Sequence, residues 1–288
     1  IYYLFARGSK LGFTKKKSRH GYDNYYSDIL LFKSKDGRNY EFDKVLITGG
    51  PGTKYPYGVE DPRIMQVHGK FLVTFSWLVK PAFDPANSRV GLAILDFTGD
   101  TFNVISTHKI GPDKDDKDAI IVPMENGKVG FIHRIIPNIS VAFFESIEDL
   151  ISPPEDYWVD YFRHYEDYII VKPQAEEEKV GAGAPVVEIE DGLLFFYHAK
   201  TREKIYTTKV VMLDKKTLRV KRYLPYPVLV PELPCEKYGD VNNVVFVQGA
   251  TLVDNKIYIS YGAADKYVCA CEIELNELIG SKDWVDIV

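Results

Sequence analysis

The sequence predicts an all-β protein, a single five-bladed β-propeller spanning residues 1–288. Three observations carry that expectation: an aromatic, strand-forming composition, five similar apolar segments at near-regular spacing, and a second strand after each of them. Aromatic residues make up 14% of the chain, with 20 Tyr and 16 Phe. Such side chains fit a pleated, half-buried surface. The five segments are residues 2–7, 70–77, 128–134, 193–198 and 256–262, and they recur roughly every 55 to 70 residues. The last four follow turn-forming pairs, His68-Gly69, Asn126-Gly127, Asp191-Gly192 and Asp254-Asn255. The second strands are read at 28–33, 89–96, 139–145, 206–214 and 267–274. Four-stranded units of this size pack radially and protect their strand edges. A two-sheet sandwich or several β domains is the competing arrangement. Helical pattern is confined to 148–151 and 274–279.

Composition narrows the function classes. Apolar residues are 45% and charged residues 27% of the chain, enough to build a large core. A net charge of -5 argues against a nucleic-acid surface, which carries a clustered basic excess. The three cysteines, Cys235, Cys269 and Cys271, form no disulfide framework or zinc spacing, and they point to a reducing cytoplasm. No apolar run reaches membrane-spanning length. The chain opens at Ile1 inside a strand-like run, from which a missing stretch of native N-terminus is expected. Two charged runs, 15–17 and 113–118, read as exposed loops.

In a propeller the innermost strands line a central funnel. If the five repeated segments are those strands, Arg7, Trp77, Arg134 and His198 lie at comparable positions facing it. Such groups are costly to bury alone, so they either pair with carboxylates of other blades or form a site. The most informative stretch is Tyr57-Gly58-Val59-Glu60-Asp61-Pro62-Arg63. Pro62 pushes Asp61 out of the helical region into an extended or turn conformation. One short loop then presents two acids and a guanidinium. Read from the residues alone, it is either a catalytic loop or an Asp-Pro turn with Arg63 tied to Glu60.

Three stretches together resemble a known family. They are Gly58-Val59-Glu60-Asp61-Pro62-Arg63; Lys179-Val180-Gly181-Ala182-Gly183-Ala184-Pro185 continuing to Tyr197-His198; and Asn242-Asn243-Val244 followed by Tyr261-Gly262-Ala263-Ala264-Asp265. In this order they resemble glycoside hydrolase family 130, the β-mannoside phosphorylases and related β-mannosidases. The resemblance implies a five-bladed propeller and an inverting attack on a β-mannoside. It makes Asp61 the proton donor, acting through a hydroxyl of the bound mannose. It makes Asp265 a mannose-holding residue and Lys179, His198 and Tyr206 phosphate ligands, with Arg134 a fourth. Arg7, Glu60 and Arg63 join Asp265 as substrate contacts, and Lys80 and Arg89 are weaker candidates.

The chemistry fits these residue types. An inverting hydrolase needs an acid and a base. A phosphorylase needs the acid alone, because phosphate is already an anionic nucleophile, and cationic groups capture and orient it. Each residue also has a plainer reading: His198 as a core histidine, Lys179 as part of a solvated charge run, Arg134 paired to a blade carboxylate, Asp265 capping a turn. Two departures from the family pattern stand out. An Asn-rich segment ahead of the first strand is absent, and Ala199 follows the motif His198 where the family has Gly. The expectation is an enzyme, an inverting β-mannoside phosphorylase releasing α-mannose 1-phosphate. It uses no cofactor and no metal, with inorganic phosphate as co-substrate. Its partners are a small carbohydrate and phosphate, with no nucleic acid and no membrane; a homo-oligomer is left open. A β-mannosidase of the same family and a non-catalytic glycan- or protein-binding propeller are the alternatives.

Overall fold

A computed structural model describes residues 1–16 and 21–287. Apolar runs flanked by Gly and Asn turns become antiparallel strands, and five larger sheets follow one another along the chain, with a two-stranded ribbon, Thr14–Lys15 and Tyr22–Asp23, inserted in the first. The first sheet orders Tyr2–Ser9, Ser27–Ser34 and Glu41–Ile47. The second orders Val59–Val67, Lys70–Leu78, Ser88–Thr98 and Thr101–Ile110. The third orders Lys117–Pro123, Val129–Ile135, Asn138–Phe144 and Ile169–Val171. In the fourth, Glu177–Ala182, Gly192–Thr201, Tyr206–Leu213, Val220–Tyr223 and Val285–Asp286 follow in turn, with Val187–Ile189 also on Gly192–Thr201. The fifth orders Val245–Val253, Lys256–Ala263 and Tyr267–Glu274. The chain is all-β, a five-bladed β-propeller with one sheet to a blade. All five repeated segments and the strand after each are present.

The chain forms two compact units, Ile1–Ala119 with Glu148–Pro154, and Ile120–Ile147 with Glu155–Val288. The first is packed around Phe5, Ile29, Leu31, Val73, Phe75 and Ala93. The second has its core at Leu194, Phe196, Val210, Val245, Ile257 and Trp284. Among the described residues, no helix is long and apolar enough to cross a membrane.

One sequence expectation is corrected by strand order. The repeated segments are the second strands of four sheets and so cannot be innermost; only Tyr2–Ser9 lies at an edge. Strands hydrogen-bonded on both sides and covered on both faces read as continuous apolar runs, which is why these segments dominate the sequence pattern. In these four sheets the edge strand precedes the repeated segment, and in three of them its pairing is bulged. Register shifts lie between Glu60 and Arg63, Glu177 and Lys179, and Val247 and Gly249. Bulges of this kind re-aim side chains at sheet edges.

The charged runs also differ from expectation. Lys17 of the first lies outside the described residues. In the second, Asp113 is exposed, but Asp116 and Asp118 are each 1% exposed, and Asp118 belongs to strand Lys117–Pro123. Alternating lysines disguise a strand entry here. The short helices Ile147–Ile151 and Leu275–Gly280 fall near their expected places. Helices Tyr157–Arg163 and Tyr165–Tyr168 are not legible in the sequence. Their Tyr, Trp and Phe residues favour strands locally; burial decides otherwise. Trp158 packs against Phe131 and Phe144, and Tyr161 Oη lies 3.0 Å from His133 Nε2.

Helix Pro234–Lys237 is anchored by a buried carboxylate. Glu236 accepts hydrogen bonds from Tyr261 Oη at 2.7 Å, Glu232 N at 2.7 Å and Leu233 N at 2.8 Å. Burial pushes its carboxyl up, but bonds from the Leu233 amide, the Tyr261 hydroxyl and the Glu232 amide outweigh this and hold it below the usual range. Burial and donation to Glu236 push the Tyr261 phenol well up. Tyr261→Phe removes one charge-assisted bond and is expected to lower stability by about 1.5–3 kcal/mol at neutral pH. A lowered carboxyl stabilises the fold above its unfolded value and loses that contribution as pH falls through the folded one. The gap between wild type and variant should therefore be full at pH 7 and shrink on acidification below the ordinary glutamate range. Urea unfolding at pH 7 and at progressively lower pH measures it; a gap that widens on acidification contradicts this account.

Candidate active site

The first unit carries Arg7, Glu60, Asp61 and Arg63. Gly58 opens the segment with φ +107, and a Cβ there would lie 2.9 Å from Ser27 N. Only glycine fits that approach. Glu60 then pairs with Ser76, while Arg63 pairs with Thr74, so one extra residue is accommodated between them. Asp61 and Pro62 form this bulge inside a strand, where the sequence alone indicates a loop. Pro62 is tolerated because a bulged edge asks less of the ladder. Asp61 adopts φ +54, a left-handed conformation where the sequence reading has it extended or turned. That geometry costs an ordinary residue roughly 1–2 kcal/mol, and Asp and Asn enter it most readily.

The side chains in this segment divide by environment. Arg7 Nη1 lies 3.8 Å from both Glu60 Oε1 and Asp61 Oδ1. The Asp61 side chain keeps 14% of its surface exposed and Arg7 21%. Arg63 is 1% exposed. Its Nη1 donates to the Asp61 carbonyl at 2.9 Å, and its Nη2 to Asp118 Oδ1 at 3.1 Å. Arg89 donates from Nε to Asp113 Oδ1 at 2.8 Å.

The second unit carries Arg134, Lys179, His198, Tyr206 and Asp265. Strand register sets the faces, because residues directly opposite each other share one and those two apart along a strand share it too. Lys179 lies opposite Lys200, and Gly181 opposite His198. His198 in turn faces Thr208, and Lys200 faces Tyr206. Lys179, His198, Lys200 and Tyr206 therefore stand on one face of the fourth sheet. The bulge makes this possible: Glu177 lies opposite Thr201, on the reverse face, although it is only two residues from Lys179. There Lys209 Nζ donates to Glu177 Oε1 at 2.6 Å and Gln174 Oε1 at 2.5 Å, with the two charged side chains 4% and 3% exposed.

Rings and backbone bonds extend this face. The His198 ring lies 4.1 Å from the Phe246 ring and 6.1 Å from Tyr206, tilted to both, so a buried histidine sits beside both aromatic rings. Lys200 Nζ sits 5.7 Å over the Tyr206 ring and 3.3 Å from Glu178 Oε2. Tyr206 N donates to Asn243 O at 2.9 Å, Ala264 N to Val244 O at 3.0 Å, and Val241 N to Ala264 O at 3.1 Å. Tyr206, the Asn242-Asn243 motif and the Ala264-Asp265 turn are thus joined through the backbone. Asp265 there has φ +54. Gly183 is required by close approach: a Cβ would lie 2.6 Å from Phe196 O and 3.1 Å from Val247 O. Arg134, 4% exposed, lies opposite Ile139. Val180 N donates to Pro137 O at 3.0 Å, docking the Lys179 strand onto the turn after Arg134.

Sequence reasoning missed Asp118, Lys200 and the Glu177–Lys209 pair as partners of these residues. Asp118 carries one signal: like Asp61, it comes just before an apolar run that enters an edge strand. Lys200 sits two residues past His198, the strand period. The Glu177–Lys209 pair leaves no local signal, because its members meet only through strand pairing. Among the described residues, no group of three or more His, Cys, Asp or Glu side chains is placed to hold a metal.

Comparison with known proteins gives this arrangement a family. A family model described as beta-1,4-mannooligosaccharide phosphorylase, that of glycoside hydrolase family 130, matches residues 18–284. A beta-1,2-mannobiose phosphorylase of Thermoanaerobacter sp. (strain X514) is 31% identical over 288 residues, covering 96% of this chain and 87% of the relative. A 1,2-beta-oligomannan phosphorylase of the same organism is 29% identical over 286 residues, with the same coverage. The solved structure of beta-1,2-mannobiose phosphorylase from Listeria innocua, in complex with beta-1,2-mannobiose, superposes with a TM-score of 0.70 at 26% identity, covering 90% of this chain and 70% of that one. With the match running through both compact units, the chain belongs to glycoside hydrolase family 130.

Proposed function

We propose that the protein is an inverting β-mannoside phosphorylase, transferring a mannosyl unit from a β-linked manno-oligosaccharide to inorganic phosphate. The observation that carries this reading is the shared face of Lys179, His198 and Tyr206 on one sheet. Lysine supplies a point charge, and His198 and Tyr206 supply hydrogen bonds to a phosphate. Arg134 adds a guanidinium fork, suited to two phosphate oxygens at once. Lys200, on the same face, adds a second ammonium. Asp61 is the proton donor, with Arg7 and Glu60 beside it, and Asp265 holds the mannose.

In this mechanism a phosphate oxygen attacks the anomeric carbon from the face opposite the β-linked leaving group. The C1–O bond to the next sugar breaks, and its oxygen takes the proton that originates on Asp61 and is relayed by a mannose hydroxyl. The products are α-mannose 1-phosphate and a saccharide one unit shorter. No cofactor enters.

The test is to incubate the protein with β-1,2-mannobiose with and without phosphate. Phosphate-dependent release of α-mannose 1-phosphate is the expected result. Free mannose at the same rate without phosphate identifies a hydrolase, and no turnover with β-1,2- or β-1,4-linked substrates identifies a binding propeller. Lys179→Ala sharpens it. A charge-assisted hydrogen bond is worth about 1.5–3 kcal/mol, so the phosphate concentration for half-maximal rate should rise tenfold or more, at about 1.4 kcal/mol per factor of ten. Saccharide binding should change much less. Equal losses for both substrates would remove Lys179 from the phosphate subsite.

A further inference from the structure

Arg63 sits two residues after Asp61, yet it is one of the most deeply buried charges in the molecule. Taking Asp61 as the proton donor, as proposed above, we propose that Arg63 and Asp118 are positioning residues that fix the Asp61 backbone and so aim its carboxyl group.

Between the paired positions Glu60–Ser76 and Arg63–Thr74, residues 61 and 62 have no register partner. Pro62 has no N–H to give, and Asp61 is left-handed at φ +54. The cross-strand ladder therefore does little to hold the one residue whose direction matters most. The Arg63 guanidinium takes over that task, donating to the Asp61 carbonyl at 2.9 Å. Its second amine donates to Asp118 Oδ1 at 3.1 Å, in a pair whose side chains are 1% and 0% exposed.

Asp118 is itself held. It is also left-handed, at φ +54, and the carbonyl of the next residue, Ala119, accepts Thr74 Oγ1 at 2.5 Å. Thr74 is the cross-strand partner of Arg63. Arg63, Thr74, Ala119 and Asp118 thus close a buried ring of contacts with the Asp61 carbonyl attached to it. A guanidinium suits this place because its planar fork reaches two acceptors in fixed directions. A buried ion pair is weak evidence of stabilisation, since apolar residues of the same volume often do as well. Its attachment to the backbone of the proton donor is what gives this pair a function.

The experiment compares two donors. β-1,2-Mannobiose needs a proton on its leaving oxygen, whereas 2,4-dinitrophenyl β-mannoside leaves without one. Losing one partner of a buried pair can unfold a protein, so the double variant Arg63→Met/Asp118→Asn, which removes both charges and keeps at 118 a residue that enters the left-handed region readily, accompanies Arg63→Lys. Misplacement by about 1 Å can cost on the order of 100-fold, so the folded double variant should lose about 100-fold on mannobiose and less than about tenfold on the dinitrophenyl donor. Arg63→Lys, reaching one acceptor at a time, should fall between it and wild type. The ¹³C signal of the Asp61 carboxyl carbon, assigned with Asp61→Asn, should shift in the double variant.

Equal losses on both donors, or an Asp61 signal unchanged in a folded variant, would overturn the proposal and leave the pair a purely structural one. If the wild type shows no phosphate-dependent cleavage, the phosphorylase reading fails. The Asp61 carbon signal then decides the positioning role by itself, since it depends on no reaction.

Discussion

Asp61→Asn is expected to fold like the wild type and to lose most of its turnover, by roughly 10²- to 10⁴-fold, the usual contribution of a general acid. The substitution isolates chemistry from backbone with unusual clarity at this position. Asp61 has φ +54 in a strand bulge, a conformation that Asn adopts as readily as Asp. The Arg63 bond is made to the Asp61 backbone carbonyl, which the variant keeps. What disappears is the proton and the carboxylate 3.8 Å from Arg7. The control is Asp61→Ala, which loses the same proton but places a less tolerant residue at positive φ, and should also melt lower. Steady-state rates with mannobiose and phosphate, together with thermal melts, measure both. Near-normal turnover in Asp61→Asn would remove Asp61 from the mechanism.

Lys209→Met is expected to have the largest effect on stability. Removing one member of a buried pair leaves the other charge uncompensated and costs about 3–5 kcal/mol. Glu177 is 3% exposed on its side chain and would lose its 2.6 Å partner while keeping the Gln174 amide at 2.8 Å. For a chain of this size that corresponds to a fall in Tm of roughly 5–15 °C. A second substitution, Glu177→Gln, should recover much of the loss by removing the stranded charge. The pair also borders the bulge that turns Lys179 to the opposite face. Where Lys209→Met remains folded at assay temperature, it should need more phosphate for half-maximal rate. A Tm within a degree of wild type would show that the Glu177 carboxylate finds other compensation.

The propeller is legible in the sequence because its most regular strands are its most buried ones. Residues 70–77 and 193–198 read as apolar runs since neighbours on both sides and both faces exclude water from them. Turns such as His68-Gly69 and Asp191-Gly192 mark where they begin. The motif residues Asp61, Lys179, His198 and Asp265 are legible for a different reason: they stand in fixed local patterns that resemble one family. The sequence by itself therefore determined the all-β class, the count of five repeats, and which motif residues are proposed to carry the chemistry.

Tertiary structure alone decided which strand of each sheet lies at the edge and which way the motif side chains point. Both depend on register, and one extra residue in a strand reverses the faces beyond it. The spacing of Glu177 and Lys179 places them on one face of a regular strand; the bulge sends Glu177 to a buried lysine and Lys179 to the face of His198. The same logic hid Asp118 in a run of alternating charges, since its partner Arg63 is 55 residues away. Long-range pairing leaves no periodic trace, because the desolvation that demands a partner for a buried charge acts only once the strands have come together.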